Sequence, residues 1–308
     1  MNIIGTKIDE VRIDGQMDRL VSDLTRIREM GIEAVELPVH GFDVILNGEL
    51  SPRRMAEVTA ILNEFDFTYS VHGPNPVNLM DRDNPDLHAR VLEAALVFAR
   101  EVGARCVVYH GGRFYPEEQF NRNARHTLKP KEKEAMLDQE ARWLDTLSQR
   151  YPDVFIAVEN ARPYTTASPY SYAEFMDQLR HQILRINRPN VKINLDFGHL
   201  FMTSRFYGFD MLEAVVSVKD LVVHTHVHDN FGGTVHHWEK QQTHQLPFGL
   251  GDSHMPVGWG SLPVKEILEI LLPQYTGLLM MELRSRYFKD ISTSKTNLAH
   301  ILSGIMGI

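Results

Sequence analysis

The feature of this chain that most constrains its fold is a regular alternation of two hydrophobic patterns. Short runs rich in β-branched residues, typical of buried strands, alternate with longer stretches in which apolar residues recur at helical spacing. The strands are predicted at Ile3–Lys7, Ala34–Leu37, Thr68–His72, Cys106–His110, Phe155–Glu159, Val191–Asp196, Leu221–His226 and Leu278–Leu283. The helices are predicted near residues 16–30, 51–65, 85–102, 131–150, 171–187, 209–219, 262–272 and 292–305. Because a helix follows each of the eight strands, the pattern favours an α/β fold, the (β/α)8 TIM barrel, as a single domain over residues 1–308.

A doubly wound open sheet is the alternative architecture. Such a sheet is expected to carry a glycine-rich phosphate loop after its first strand, and none is visible. Two connections that follow strands are long, near residues 111–131 and 229–260. In a barrel, the connections that follow strands lie on the C-terminal face, where barrel enzymes have their active sites. Both segments are therefore predicted as functional loops over that face.

The composition excludes several classes of protein. A hydrophobic fraction of 43% is high enough to form a core, and a single cysteine excludes both disulfides within the chain and a cysteine-based zinc site. The formal net charge of −8 disfavours nucleic acid as a partner. No stretch approaches the roughly 18 apolar residues of a membrane span, and no long apolar signal core is visible. We therefore expect a soluble, cytoplasmic protein without a membrane partner; its oligomeric state, a homo-oligomer included, is left open.

Histidines and acidic residues stand at the ends of six successive predicted strands, from the third to the eighth. These strand-end residues are His72, His110, Glu159, Asp196, His226 and Glu282, and the following loops add His199, Asp252 and His254. Since the strand ends of a barrel converge on one small volume, unpaired carboxylates there would repel one another and raise each other's pKa. Divalent cations remove this repulsion, and mixed His, Asp and Glu ligation without cysteine suits Zn, Mn or Fe. The pattern thus predicts a metal site on the C-terminal face.

Each of these residues also has an ordinary structural interpretation when it is taken alone. A strand-end histidine such as His72 could be a hydrogen-bonded core residue, and Glu159 could pair with an arginine. Asp196 could cap a helix, and the segment 252–254 could form an Asx turn. The repetition at six successive strand ends is hard to explain in this way, so the metal site is the preferred interpretation.

Several further residues are candidates for contact with a substrate. Glu36 ends the second predicted strand and could bind substrate or orient His72. Trp238 and Trp259 lie in the second long loop and could stack on a sugar ring or pack the loop. An anionic group or substrate hydroxyls could be bound by His228, Arg284 and Arg286.

An ordered set of short motifs carries a family resemblance. In chain order the motifs are His72-Gly-Pro-Asn-Pro-Val-Asn-Leu, His110-Gly-Gly, Glu159-Asn, Asp196-Phe-Gly-His199, His226-Val-His-Asp-Asn, Asp252-Ser-His254-Met-Pro-Val-Gly-Trp-Gly and Glu282. Each motif alone is weak, but the ordered set resembles the xylose isomerase-like barrel superfamily. It shares features with both the sugar phosphate isomerases and epimerases and endonuclease IV. The resemblance covers most of the chain, from Glu36 to Glu282.

The resemblance implies a set of metal ligands. By analogy with endonuclease IV, three ions would be bound, the first by His72, His110 and Glu159, the second by Glu159, Asp196, His226 and Glu282, and the third by His199, Asp252 and His254. The isomerases and epimerases use only the second of these sets. Because all nine positions are present, the resemblance implies two or three divalent metal ions (Zn, Mn or Fe) per chain.

Two enzymatic functions follow from the resemblance. The preferred one is a metal-dependent isomerase or epimerase acting on a small sugar or sugar phosphate, with Glu159 and Glu282 as the catalytic residues that move a proton next to a carbonyl through a metal-bound enediolate. The alternative is an endonuclease IV-like multinuclear phosphoesterase, either an apurinic-site endonuclease or a hydrolase of small phosphoesters.

The charge of the loops distinguishes the two enzymes. A DNA enzyme needs Lys and Arg on its binding loops, but residues 37–50 contain none and residues 229–260 contain a single Lys. Arg113, Arg122 and Arg125 in the first long loop are the best candidates for phosphate contact. The comparison favours a small substrate. A barrel that only binds a metal and a sugar, as a sensor or assembly partner, is ranked last.

Overall fold

Eight parallel strands form a closed barrel in the computed structural model, which describes residues 2–116, 119–120, 128–236 and 242–307. In chain order these strands are β1 (Ile4–Lys7), β2 (Ala34–Pro38), β5 (Thr68–His72), β6 (Cys106–His110), β7 (Phe155–Glu159), β8 (Val191–Asp196), β9 (Val222–Val227) and β10 (Leu279–Met281). Two short strands, β3 (Ile45–Leu46) and β4 (Glu49–Leu50), pair as an antiparallel hairpin in the loop after β2. The closed parallel sheet confirms the predicted (β/α)8 barrel.

The helices surround the barrel. They are α1 (Glu10–Ile13), α2 (Met17–Glu29), α3 (Pro52–Leu62), α4 (Pro85–Glu101), α5 (Pro130–Arg150), α6 (Met176–Ile186), α7 (Phe197–Tyr207), α8 (Met211–Val218), α9 (Gln242–Gln245), α10 (Val264–Leu271) and α11 (Ile291–Met306). The amphipathic spacing explains their packing: α10, for example, buries Val264, Ile267, Leu268 and Leu271, which share one face at helical period. No helix in the described part of the chain combines the length and apolar character needed to cross a membrane.

The strand register brings the ends of neighbouring strands to one level. His110 on β6 pairs with Glu159 on β7, and Asp196 on β8 pairs with His226 on β9. Parallel pairing of this kind carries the side chains after each strand to the same end of the barrel. The C-terminal face therefore gathers the residues that the sequence places at strand ends.

The structure corrects a few of the predicted boundaries. The helix α7 was not predicted, because residues 197–204 are buried on every side and lack an amphipathic period. The strand β2 continues to Pro38, so Glu36 lies inside it, and β10 stops at Met281, so Glu282 is the first residue beyond the strand. The second long loop contains the short helix α9. The single-domain boundary, 1–308, stays a prediction.

Candidate metal centre

Four side chains at the centre of the C-terminal face converge on one point, and we call them the central cluster: Glu159, Asp196, His226 and Glu282. Each offers a ligand atom, and these atoms all lie within 4.8 Å of one another. The Nδ1 atom of His226 is 3.2 Å from a Glu282 oxygen, 3.4 Å from a Glu159 oxygen and 3.8 Å from an Asp196 oxygen. Three buried carboxylates around one imidazole nitrogen are a suitable donor set for a divalent cation.

The ring of His226 is held in place by a buried carboxylate behind it. Its Nε2 atom donates to Glu36, 2.8 Å away, so that in the neutral ring Nδ1 presents its lone pair to the central cluster. The other oxygen of Glu36 accepts from His224 (2.8 Å) and Ser70 (2.9 Å). Burial opposes ionisation of Glu36, but His226 and His224 outweigh it and lower its pKa well below the ordinary value. Glu36 therefore lies where it can orient the ligand His226.

Asp196 is both a helix cap and a member of the central cluster. One carboxylate oxygen accepts from the backbone N–H of His199 at 2.6 Å and begins helix α7, while the other faces His226. His228 donates to the same carboxylate at 3.1 Å. The ring of His228 fits because residue 198 is glycine, where a Cβ would lie 2.1 Å from that ring. The cap and the metal interpretations of Asp196 are thus compatible.

A second group, the His72 cluster, consists of His72, His110 and Glu159 and shares its glutamate with the central cluster. The Nε2 atoms of the two histidines lie 4.0 Å and 3.6 Å from the same Glu159 oxygen. Nδ1 of His72 donates to the carbonyl of Gly73 at 2.8 Å, which leaves Nε2 of the neutral ring as the lone-pair atom. This donor set also fits a divalent cation.

A third group, the Asp252 cluster, consists of His199, Asp252 and His254, with His228 beside it. One Asp252 oxygen lies 2.7 Å from Nε2 of His254 and 3.3 Å from Nε2 of His199. The Nδ1 atoms of the two rings donate to backbone carbonyls, of Glu282 at 2.8 Å and of Asn160 at 2.9 Å. All nine residues that the sequence assigns to metal binding are therefore brought together in adjoining groups.

Two cationic side chains in the site were not among the residues predicted from the sequence. Lys7, at the end of β1, has a side chain that is 9% exposed and donates to Glu282 at 3.0 Å and to Glu10 at 3.3 Å. Burial opposes its charge, but Glu10 and Glu282 raise its pKa above the ordinary value. Arg162, three residues after Glu159, reaches the Asp252 cluster. Both residues lie at or just after the end of a strand. A search of those positions for lysine and arginine, in addition to histidine and carboxylates, would have found them.

The two carboxylates predicted to move protons both have pKa values lowered by their surroundings. Burial opposes the charge on Glu159, but His110 and His226 lower its pKa well below the ordinary value. Burial also opposes the charge on Glu282, where Lys7, His226 and His254 lower the pKa. Both residues line an open cleft with Lys7, Arg162, Arg284 and the exposed edge of His110.

The residues predicted to contact substrate are placed at different depths. Arg284 lines the cleft, and its guanidinium donates to the Asp252 carbonyl at 2.8 and 3.2 Å. His228 and Glu36 are fully buried beneath it. Trp259 is 45% exposed and packs edge-on against Tyr287, 5.8 Å away. Arg286 lines a separate groove with Arg12 and Arg19. Trp238, Arg122 and Arg125 lie outside the described residues.

The family of the chain follows from comparison with known proteins. The family model for the xylose isomerase-like TIM barrel matches residues 24–303. The chain belongs to the xylose isomerase-like TIM barrel family. This membership confirms the resemblance inferred from the motifs.

Individual relatives of this family member are distant in sequence. An uncharacterized protein of Methanocaldococcus jannaschii, MJ1614, is 22% identical over 293 residues, which are 92% of this chain and 94% of that protein. A D-tagatose 3-epimerase-like protein of solved structure superimposes with a TM-score of 0.70 at 18% identity, over 99% of both chains. A xylose isomerase-like TIM barrel protein from Mycobacterium smegmatis, solved in complex with magnesium, gives a TM-score of 0.69 at 15% identity, over 99% of this chain and 98% of that one. At these identities the structural matches establish a shared fold.

Proposed function

We propose that this protein is a metal-dependent isomerase or epimerase that acts on a small sugar or sugar phosphate. The observation that carries the proposal is the central cluster, in which two glutamates with lowered pKa values lie within 3.4 Å of one imidazole nitrogen at the floor of an open cleft. The structural likeness to a D-tagatose 3-epimerase-like protein supports the choice of a sugar as substrate. Zn, Mn and Fe are the candidate ions.

A divalent cation held by the central cluster would polarise the carbonyl of a bound sugar and make the neighbouring C–H acidic. The chain itself supplies the proton transfer. One of the carboxylates Glu159 and Glu282, in its charged form, removes the proton from the carbon next to the carbonyl and later releases it to the solvent of the open cleft. The other carboxylate takes up a proton from that solvent and returns it to the substrate. Lys7 donates to Glu282 at 3.0 Å and so holds that carboxylate in its charged form. Arg284, at the edge of the cleft, is placed to bind substrate oxygens.

Proton exchange with solvent tests this function on many sugars in the same way. The protein, reloaded with Mn²⁺, is incubated in D₂O with a panel of ketoses and their phosphates, and the products are followed by NMR. We expect deuterium to enter at the carbon next to the carbonyl of at least one sugar, and Glu159→Gln and Glu282→Gln to abolish this exchange while the circular dichroism spectrum is retained. Absence of exchange across the whole panel would contradict the proposal.

A specific observation also supports phosphoester hydrolysis as the second candidate function. The His72 cluster adjoins the central cluster through Glu159, as two closely spaced metal ions acting on a phosphate would require. A duplex with a single abasic site and a chromogenic phosphodiester distinguish the two functions. Cleavage of either at catalytic enzyme concentration, without proton exchange on sugars, would favour the hydrolase.

A further inference from the structure

The Asp252 cluster already holds a positively charged side chain. One terminal nitrogen of the Arg162 guanidinium, Nη1, lies 3.2 Å from the Asp252 oxygen and 3.2 Å from Nε2 of His199. The same oxygen contacts both histidines of the cluster, at 2.7 and 3.3 Å. These are the atoms that would have to approach to about 2.0–2.2 Å of a metal ion. One terminal nitrogen of the guanidinium therefore lies 3.2 Å from two of the three donors that would coordinate a third ion.

Arg162 is held in this position from behind. Its other terminal nitrogen donates to the hydroxyl of Tyr164 at 2.9 Å, and its Cζ atom lies 5.2 Å from the centre of the Tyr164 ring. Tyr164 packs in turn against Phe120 and Tyr170, and Tyr170 donates to the backbone carbonyl of Arg162 at 3.1 Å. The side chain of Arg162 is 12% exposed. An arginine enclosed in this way is part of the site rather than a surface group that folds over it.

Both a guanidinium and a divalent ion are positively charged. A guanidinium 3.2 Å from the Asp252 oxygen would therefore repel a divalent ion bound to the same oxygen. Arginine stays protonated in proteins, so it cannot relieve the repulsion by losing its charge. Among the described residues, the one carboxylate of the Asp252 cluster also already faces a guanidinium. We propose that Arg162 takes the place of a third metal ion, so that the protein binds metal at the central cluster and at the His72 cluster but not at the Asp252 cluster. This proposal does not depend on which reaction the enzyme catalyses.

Metal counting on the purified chain tests the proposal. The protein is stripped with a chelator, reloaded with excess Zn²⁺, freed of loose ions on a desalting column and analysed by elemental mass spectrometry. We expect the wild-type protein to hold at most two ions, and Arg162→Gln and Arg162→Met to hold about one more, because the donor set then lacks its cation. Arg284→Gln is the matched control: that guanidinium donates to the Asp252 backbone carbonyl and not to its carboxylate, so the wild-type count should be retained.

Two further variants locate the additional ion. In the double variant Arg162→Gln with Asp252→Asn, the additional ion should be lost, whereas Asp252→Asn alone should leave the wild-type count unchanged. A wild-type count of three, a fall in the count on Asp252→Asn alone, or neutral Arg162 variants that gain no metal would each overturn the proposal. If the neutral variants fail to fold, the wild-type count together with the Asp252→Asn count still decides it.

Discussion

The central cluster and the Asp252 cluster use the same donor types but differ in the net charge that they offer to a metal ion. Among the described residues, the three carboxylates of the central cluster meet one ammonium, that of Lys7, which leaves two negative charges in excess when the imidazole is neutral. In the described part of the chain, the Asp252 cluster places its one carboxylate against the guanidinium of Arg162. A divalent cation balances the first and overcharges the second.

The orientation of the histidines does not distinguish the two clusters. The ring nitrogen of His226 that points away from the cluster donates a hydrogen bond to Glu36. The corresponding nitrogens of His199 and His254 donate hydrogen bonds to backbone carbonyls. In each case the inner nitrogen faces the cluster, which is the usual arrangement of a metal-binding histidine. Local charge balance, and not imidazole geometry alone, therefore marks the cluster that requires a metal.

The largest effect is expected when the central cluster loses one carboxylate. Asp196→Asn should lower metal affinity and proton exchange by more than the roughly 10–100-fold typical of changes behind the ligands. The metal-free variant should unfold at nearly the same urea concentration as the metal-free wild type, because asparagine caps a helix as well as aspartate does. Calorimetric metal titration and urea unfolding measure the two effects. A variant that keeps its metal but loses stability would mean that Asp196 is only a cap.

A smaller loss is expected when the support behind the central cluster is removed. Glu36→Gln weakens the acceptor that fixes His226, so metal affinity should fall by about 10–100-fold while the fold is retained. Ser70→Ala is the control, since Ser70 donates to the oxygen of Glu36 that faces His224 rather than His226. Competition with a chromophoric chelator measures the affinity. Equal effects of the two substitutions would contradict an orienting role for Glu36.

A gain of metal affinity is expected when the excess charge of the central cluster is increased. Lys7→Met removes the ammonium that contacts Glu282, so the affinity for Mn²⁺ should rise by at least about fivefold, the effect of losing the ~1 kcal/mol repulsion of a unit charge at about 4 Å in bulk water. Lys7→Arg keeps the charge and should stay close to wild type. The same chelator competition provides the measurement. Weaker binding in Lys7→Met would show that charge balance does not govern this cluster.

The smallest effect on the metal is expected outside both clusters. Trp259 is half-exposed, so Trp259→Ala should change metal affinity by less than about twofold. If its ring stacks on the sugar, the KM for the substrate found by proton exchange should rise while kcat changes little. Trp259→Phe should recover most of the loss. A change in kcat alone would assign Trp259 to the loop and not to the substrate.

The sequence predicted the parts of this molecule that depend on local pattern. The strand–helix alternation predicted the barrel, and the strand-end positions predicted the residues that lie together at its C-terminal face. Helix α7 was missed because residues 197–204 are all buried, so its polar and apolar residues do not separate into two faces and the amphipathic signal is absent. The roles of Lys7 and Arg162 could not be read from pattern, because they depend on which carboxylate each cation meets across the barrel, and that is set by tertiary packing.

Anomalous diffraction from crystals of the wild-type protein loaded with Mn²⁺ tests the difference between the two clusters most directly. The account predicts an anomalous peak among Glu159, Asp196, His226 and Glu282, and no peak among His199, Asp252 and His254, where the Arg162 guanidinium stays within hydrogen-bond distance of Asp252. A vacant central cluster, or an ion at the Asp252 cluster with Arg162 displaced, would contradict it.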